Sequence, residues 1–222
     1  MEYQDLAAYG LASLLAGLGA ALVFAARRRR LRGRTPILAL PAWRRPHPCV
    51  IRLLKPEDIE ACEGIYRRNE ERFPPDMFDR FAQSLRGRDA LFLVAEVERQ
   101  VRGLGAVSMR RTDRSEGAIL SWGMIDPSFQ RRGYGTALLR ARLAMLPLAR
   151  RAWIVTITTA GGSESFYERF GFKYVKQVPI DGGRLLDAYC VLVTPRAQRR
   201  CASSVADLLI PAPLGSTYVP AS

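Results

Sequence analysis

The chain has 222 residues, 48% of them hydrophobic, and a formal net charge of +13. That is enough apolar material for one domain with a core plus extensions, and it excludes a chain disordered throughout. The charge invites a nucleic-acid partner, but eight arginines and no acid fall in residues 27–48, and residues 49–194 carry only +5. No nucleic acid is therefore expected to bind the domain.

In chain order, the first feature is an uncharged run from Leu6 to Ala26. As a helix these residues span roughly 31 Å, close to the ~30 Å hydrocarbon core of a bilayer. A buried core helix is the bland alternative, but the run is apolar all round. A cleaved signal peptide would carry its positive charge ahead of the run; here Glu2 and Asp5 precede it and Arg27–Arg30 follow. The expectation is one transmembrane anchor in residues 1–26, with everything after Arg27 on the cytoplasmic side. Residues 27–48 read as a linker whose arginines face anionic headgroups and whose prolines keep the chain extended. His47, the only histidine, falls here, so neither histidine catalysis nor a metal site is expected. Cys49, Cys62, Cys190 and Cys201 form no zinc spacing and are expected to be reduced.

Residues 49–194 alternate between strand and helix patterns. Val50–Leu54 predicts a strand. Pro56 opens a helix with Glu57, Asp58 and Glu60 in its first turn and Ile59, Cys62, Ile65 and Tyr66 on one face. Pro74 and Pro75 break it. Asp76–Leu85 predicts a second helix, stopped by Gly87. Leu91–Val97 and Val101–Met109 read as a hairpin about Glu98-Arg99-Gln100, and Ala118–Ile125 as a further strand, with Gly123 as the place for a bulge. A helix from Thr136 to about Leu146, a strand Trp153–Thr158 and a helix from Ser163 to Phe170 capped by Gly171 follow. A last hairpin, Phe172–Pro179 with Leu185–Val193, turns at Asp181-Gly182-Gly183. Residues 195–222 read as a tail that is either loose or docked as a short helix.

Between the strand ending at Ile125 and the next helix stands Gln130-Arg131-Arg132-Gly133-Tyr134-Gly135. Two glycines, a helix N-terminus and two arginines in one turn make a cradle for a pyrophosphate. A Walker loop would need Lys and Ser/Thr after its last glycine, and Tyr134-Gly135 intervene. A dinucleotide fingerprint would need a third glycine where Leu138 stands.

The element order, this loop and the later Ser165-Phe166-Tyr167-Glu168-Arg169-Phe170-Gly171-Phe172 together resemble the GNAT-type N-acetyltransferase superfamily. The resemblance covers about 145 residues, Cys49 to Thr194. It implies an α/β (α+β) fold with a mixed, mostly antiparallel central sheet flanked by helices. It implies acetyl-CoA as co-substrate, held by the backbone of Arg131–Thr136 with Gln130, Arg131, Arg132, Gly133, Tyr134, Gly135 and Thr136 around the pyrophosphate. The strands Ala118–Ile125 and Trp153–Thr158 would part to admit the pantetheine arm beside Met124 and Ile125. Tyr167 aligns with the tyrosine that protonates the leaving thiolate in many relatives; its bland reading is a half-buried aromatic under the cofactor.

Two positions depart from the family pattern. The strand before the loop has no glutamate to serve as base. Glu116 lies too early, and Glu96 is the substitute, acting through water. Ala160 stands where relatives often carry asparagine. The expected activity is acetyl transfer to an amine, small molecule or protein, by direct attack in a ternary complex at the membrane. A non-catalytic acyl-CoA-binding or partner-binding module with the same fold is the alternative. The sequence names neither the acceptor nor the oligomeric state.

Overall fold

The computed structural model describes residues 36–42, 48–73, 77–111, 116–147, 152–159, 161–180 and 184–208. The segment 6–26, the arginines at 27–34, His47, Pro74 and Pro75, Ala160 and the turn 181–183 lie outside the described residues. Among the described residues no helix is long and apolar enough to cross a membrane.

The alternating pattern builds β1 (Val50–Leu53), α1 (Ile59–Arg67), α2 (Met77–Arg86), β2 (Leu91–Val97), β3 (Gln100–Arg111) and β4 (Glu116–Ile125). Then come α3 (Tyr134–Ala144), β5 (Trp153–Thr159), α4 (Glu164–Glu168), β6 (Lys173–Ile180), β7 (Arg184–Val193) and α5 (Pro195–Val205). Short 3-10 turns occupy Pro56–Asp58, Glu70–Arg72 and Pro127–Phe129. The strands form one seven-stranded sheet in the order β1-β2-β3-β4-β5-β7-β6. Only the β4–β5 pair is parallel. A parallel neighbour needs a crossover, which α3 supplies. The fold is thus the mixed, mostly antiparallel sheet with flanking helices that the sequence implied.

Several details differ from the sequence reading. Helical structure starts at Pro56 as a single 3-10 turn, because the Asp58 carboxylate is drawn off to Arg52 (2.6 and 2.9 Å) and the Lys55 N–H (2.8 Å). The β2–β3 turn is tighter than expected: Val97 pairs with Gln100, and Glu98 and Arg99 take φ of 53° and 62°. Gly87 closes α2 with its N–H on the Gln83 carbonyl (2.9 Å) and stays out of the left-handed region, which Gly171 does enter at φ 84°.

Apolar residues fall on both faces of the sheet. On one face, Tyr66 stacks between Phe73 (4.9 Å) and Phe81 (4.8 Å) above Phe92, Val94, Leu104 and Ala106. On the other, α3 buries Leu139 and Leu143 against Val107, Trp153, Val155 and Ile157.

Two segments outside the span 49–194 pack on this body. Helix α5 is capped by the Thr194 hydroxyl, which accepts from Ala197 N–H (3.2 Å); it buries Cys201 in the second core and Val205 against Ala137, Leu138 and Ala141. Residues 36–42 run along the sheet edge, with Leu38 N–H to the Leu192 carbonyl (2.9 Å), Leu192 N–H to Pro36 (2.7 Å) and Ala39 N–H to Phe170 (2.9 Å). β6 pairs with β7 only as far as Cys190, so Ile37 takes the open place beside Leu192. Gly171 admits this segment: a Cβ there would stand 2.5 Å from the Ile37 carbonyl.

The Arg52–Asp58–Glu96 cluster ties β1, the first helical turn and β2 together, with Glu96 at 2.8 Å from Arg52. Burial pushes the Asp58 carboxyl up, but hydrogen bonds from Arg52 and Lys55 outweigh it and hold it below the ordinary carboxylate value. A folded-state pKa below the unfolded ~3.9 stabilises fully above that pH, and the contribution is lost as pH falls through the folded value. Asp58→Asn should therefore cost about 2–3 kcal/mol at pH 7. It should also flatten the loss of stability on acidification below pH 4. Urea titrations at pH 7 and at several acid pH values check both effects.

Candidate active site

The β4–β5 ladder runs from Gly117↔Ile154 to Leu120↔Ile157 and stops there. The cause lies in β4. Against β3, Leu104 pairs with Met124 but Ala106 with Ser121, so β4 carries one extra residue in the Trp122-Gly123 region. The positive φ falls on Trp122 (53°), not on the glycine. Its ring is held edge-on to Phe81 (5.3 Å), and its indole N–H donates to the Ser84 hydroxyl (3.2 Å). An extra residue also turns the strand over. Ala118 and Leu120 face the α3 side, whereas Trp122 and Met124 face the α1–α2 side. Gly123 is exposed at the mouth of the resulting cleft.

Beyond the cleft, Asp126 turns the chain. It accepts from Ser128 N–H (3.1 Å) and hydroxyl (2.7 Å), and Arg68 lies 3.0 Å away. Gln130 serves as a bracket: its amide donates to the Ile125 carbonyl (3.1 Å) and to Asn69 (3.3 Å), while Asn69 also donates to Ile125 (3.3 Å) and Ile65 (2.9 Å). The Ile125 carbonyl thus already has two donors. Arg131 takes φ 62° and Gly133 φ 91°, curling the loop into α3. The first helical bond runs from Ala137 N–H to Gly133 (3.0 Å), so the N–H groups of Tyr134, Gly135 and Thr136 precede the ladder. Arg131 and Arg132 are exposed, Arg132 lying over the Phe129 ring at 5.1 Å. The Tyr134 ring is buried against Cys49 and Val97, so only its backbone faces the loop. Gly135 leaves room toward Ile125 and Phe166, each 3.8 Å from where a Cβ would be. The loop is an anion cradle of backbone donors at a helix N-terminus.

Tyr167 stands on α4, wedged edge-on against Phe166 (5.0 Å) and Phe172 (5.5 Å). Its hydroxyl lies 3.3 Å from the point a Gly123 Cβ would occupy, so it reaches the bulge. Glu96, the substitute base, is bound to Arg52 by two nitrogens (both 2.8 Å) and is occupied in that cluster.

One residue at the bulge has no counterpart in the sequence reading. Arg142, on α3, is 2% exposed and places its guanidinium between Gly105 and Gly123. Its one sequence signal was an arginine inside a helix that is apolar on nearly every side.

Residues 88–174 match a family model described as an acetyltransferase (GNAT) domain. No curated protein matches the sequence. Among solved structures, the chain resembles a protein described as an acetyltransferase of the GNAT family from Desulfovibrio desulfuricans, at 19% identity and TM-score 0.54, covering 65% of this chain and 99% of that one. It also resembles yncA from Salmonella typhimurium, described as an acetyltransferase and solved with acetyl-CoA as its cofactor, at 19% identity and TM-score 0.50, covering 67% and 95%. A third, described as a phosphinothricin N-acetyltransferase, gives 21% identity and TM-score 0.51, covering 65% and 98%. These likenesses show the fold. The matched segment holds the β4 bulge, the anion cradle and Tyr167, and it is the part of the chain that resembles an acetyltransferase domain.

The four cysteines are all buried, and burial pushes the thiols up to about 11 for Cys49, Cys190 and Cys201 and about 12 for Cys62. Thiols so placed stay protonated near neutrality and are poor nucleophiles. Among the described residues no group of three or more histidine, cysteine or acidic side chains could hold a metal ion. Native protein should therefore take up iodoacetamide at none of these four positions over an hour at pH 7.5, and denatured protein at all four. Mass spectrometry of the alkylated peptides reads this directly.

Proposed function

We propose that the chain is a membrane-anchored N-acetyltransferase that transfers an acetyl group from acetyl-CoA to an amine. The observation that carries the reading is the parting of β4 from β5 beyond Leu120↔Ile157, directly ahead of the Arg131–Thr136 cradle. That one opening offers a slot for an extended arm and a seat for its pyrophosphate.

The N–H groups of Tyr134, Gly135 and Thr136, which have no acceptor within the helix, fit a pyrophosphate, each charge-assisted bond contributing ~1.5–3 kcal/mol. Gln130 would act on the ligand indirectly, by fixing the loop. With both its lone pairs taken, the Ile125 carbonyl is not available to the arm, and pairing falls to the remaining backbone groups of Met124 and Ile125. Acetyl-CoA supplies the activated thioester. The amine nitrogen forms its bond to the carbonyl carbon as the C–S bond breaks; the nitrogen sheds a proton and the sulfur takes one. Tyr167 gives that proton, a reading supported by the reach of its hydroxyl to the bulge.

Transfer in a ternary complex is supported by the protonated, buried cysteines, which leave no thiol to carry the acyl group. With Glu96 tied to Arg52, an acceptor that arrives neutral is favoured. An α-amine near pKa 7.8 costs only ~1 kcal/mol to deprotonate at pH 7, against about 4.6 kcal/mol for a lysine near 10.4.

The anchor rests on the sequence of residues 6–26 and the basic segment after it. A basin of about 640 Å³ supports it from the folded side: Pro41 meets Arg140, Arg196, Arg199 and Arg200 there. Such a surface suits anionic headgroups next to the segment that leads from the membrane.

Calorimetry on the full chain in detergent should show acetyl-CoA binding; its absence would remove the proposal. Tyr167→Phe should lower kcat about 100-fold while leaving the acetyl-CoA affinity within a few-fold, and an unchanged kcat would end the acid role. For the anchor, carbonate-washed membranes from expressing cells should retain the full chain and release a chain lacking residues 1–26; release of both would exclude a spanning helix.

A further inference from the structure

Arg142 is a cation in a place where cations are expensive. Unpaired charges of this kind cost several kcal/mol to bury unless an opposite charge meets them. Among the described residues no carboxylate pairs with it. Its Nη1 makes two long bonds, to the Ser121 carbonyl at 3.3 Å and the Ala106 carbonyl at 3.5 Å, and its Nε is buried with no acceptor.

The surroundings are shaped around the group. A Cβ on Gly105 would stand 3.0 Å from both Cζ and Nε, so the glycine on β3 makes the socket. A Cβ on Gly123 would stand 3.0 Å from Nη2 and 3.3 Å from the Tyr167 hydroxyl, so the glycine on β4 makes the window. Gly123 is exposed, and through it the guanidinium edge faces the cleft. The β4 bulge that opens the cleft is also what turns position 123 toward α3.

We propose that Arg142 recognises a carboxylate carried by one of the two substrates, either at the end of the acyl chain, as in a dicarboxylic acyl thioester, or beside the reacting amine of the acceptor. The inference rests on the acyltransferase reading of this cleft. A bound carboxylate supplies the counter-charge that the fold omits, and the Nη2 group, which has no acceptor among the described residues, offers it a charge-assisted N–H donor. The same positive charge repels a protonated amine, so the acceptor meets the thioester neutral.

The test is calorimetry on the full chain, with two arms. One compares succinyl-CoA and malonyl-CoA with acetyl-CoA. The other, at saturating CoA, compares free α-amino acids with their carboxamides. In one arm the carboxylate ligand should bind at least ~10-fold tighter than its neutral counterpart. That ratio should fall to near one in Arg142→Met and survive in part in Arg142→Lys, which keeps the charge in the socket.

The arm that shows the preference identifies the source. No preference in either arm of the wild-type protein, with acetyl-CoA still bound, overturns this inference alone. So does a preference that persists in Arg142→Met. A wild-type protein that binds no CoA thioester at all overturns the acyltransferase reading together with it. The wild-type ratios decide the matter even if Arg142→Met does not fold.

Discussion

One extra residue in β4 sets the rest of the site. It ends the pairing with β5, because a strand that has bent and twisted away cannot keep a parallel ladder. It reverses which face the strand presents, sending Trp122 and Met124 to one core and Gly123 toward the other. It also forces a bulky residue into left-handed backbone. The cost of that conformation, about 1–2 kcal/mol, is offset by the aromatic nest of Phe81 and Phe73 and the bond to Ser84. The cleft, the window at Gly123 and the approach of Tyr167 are consequences of one irregular position, not separate devices.

Most of the fold was legible because its elements are short and strongly patterned. Period-two apolar runs marked the strands, Pro56 and Gly171 marked boundaries, and the glycine loop marked the entry to α3. The bulge was legible at the level of the region: Gly123 signalled an irregularity, but the strained residue is its neighbour, which only packing could decide. What escaped was long-range. Asn69 has no local signature, and its value comes from meeting Ile125 and Gln130 across the fold. The docking of residues 36–42 and of α5 depends on an unpaired stretch of β7 and on a bare face of α3, neither of which is visible in those segments themselves.

Within the motif, backbone and side chains do different work. In the loop 130–135 only the backbone curvature and the exposed arginines face outward. Gln130 is spent on the Ile125 carbonyl and the Tyr134 ring on the core. Arg142, seven residues beyond the loop, reaches the bulge at Gly123. Its neighbours are glycines, so no pattern of ligating side chains announced it.

The clip between residues 36–39 and the strand β7 has a mechanical consequence. Pro36, Leu38 and Ala39 are bonded to Leu192 and Phe170, and the Ile37 bridge is parallel to β7. A tension applied along the chain from its N-terminal side would load these bonds at the sheet edge before it reached β1. The first element to feel it would be β7 at Leu192, and the next the turn Phe170–Gly171, which follows the helix carrying Tyr167. Residues 36–39 and the helix that carries Tyr167 therefore share one short load path through the domain.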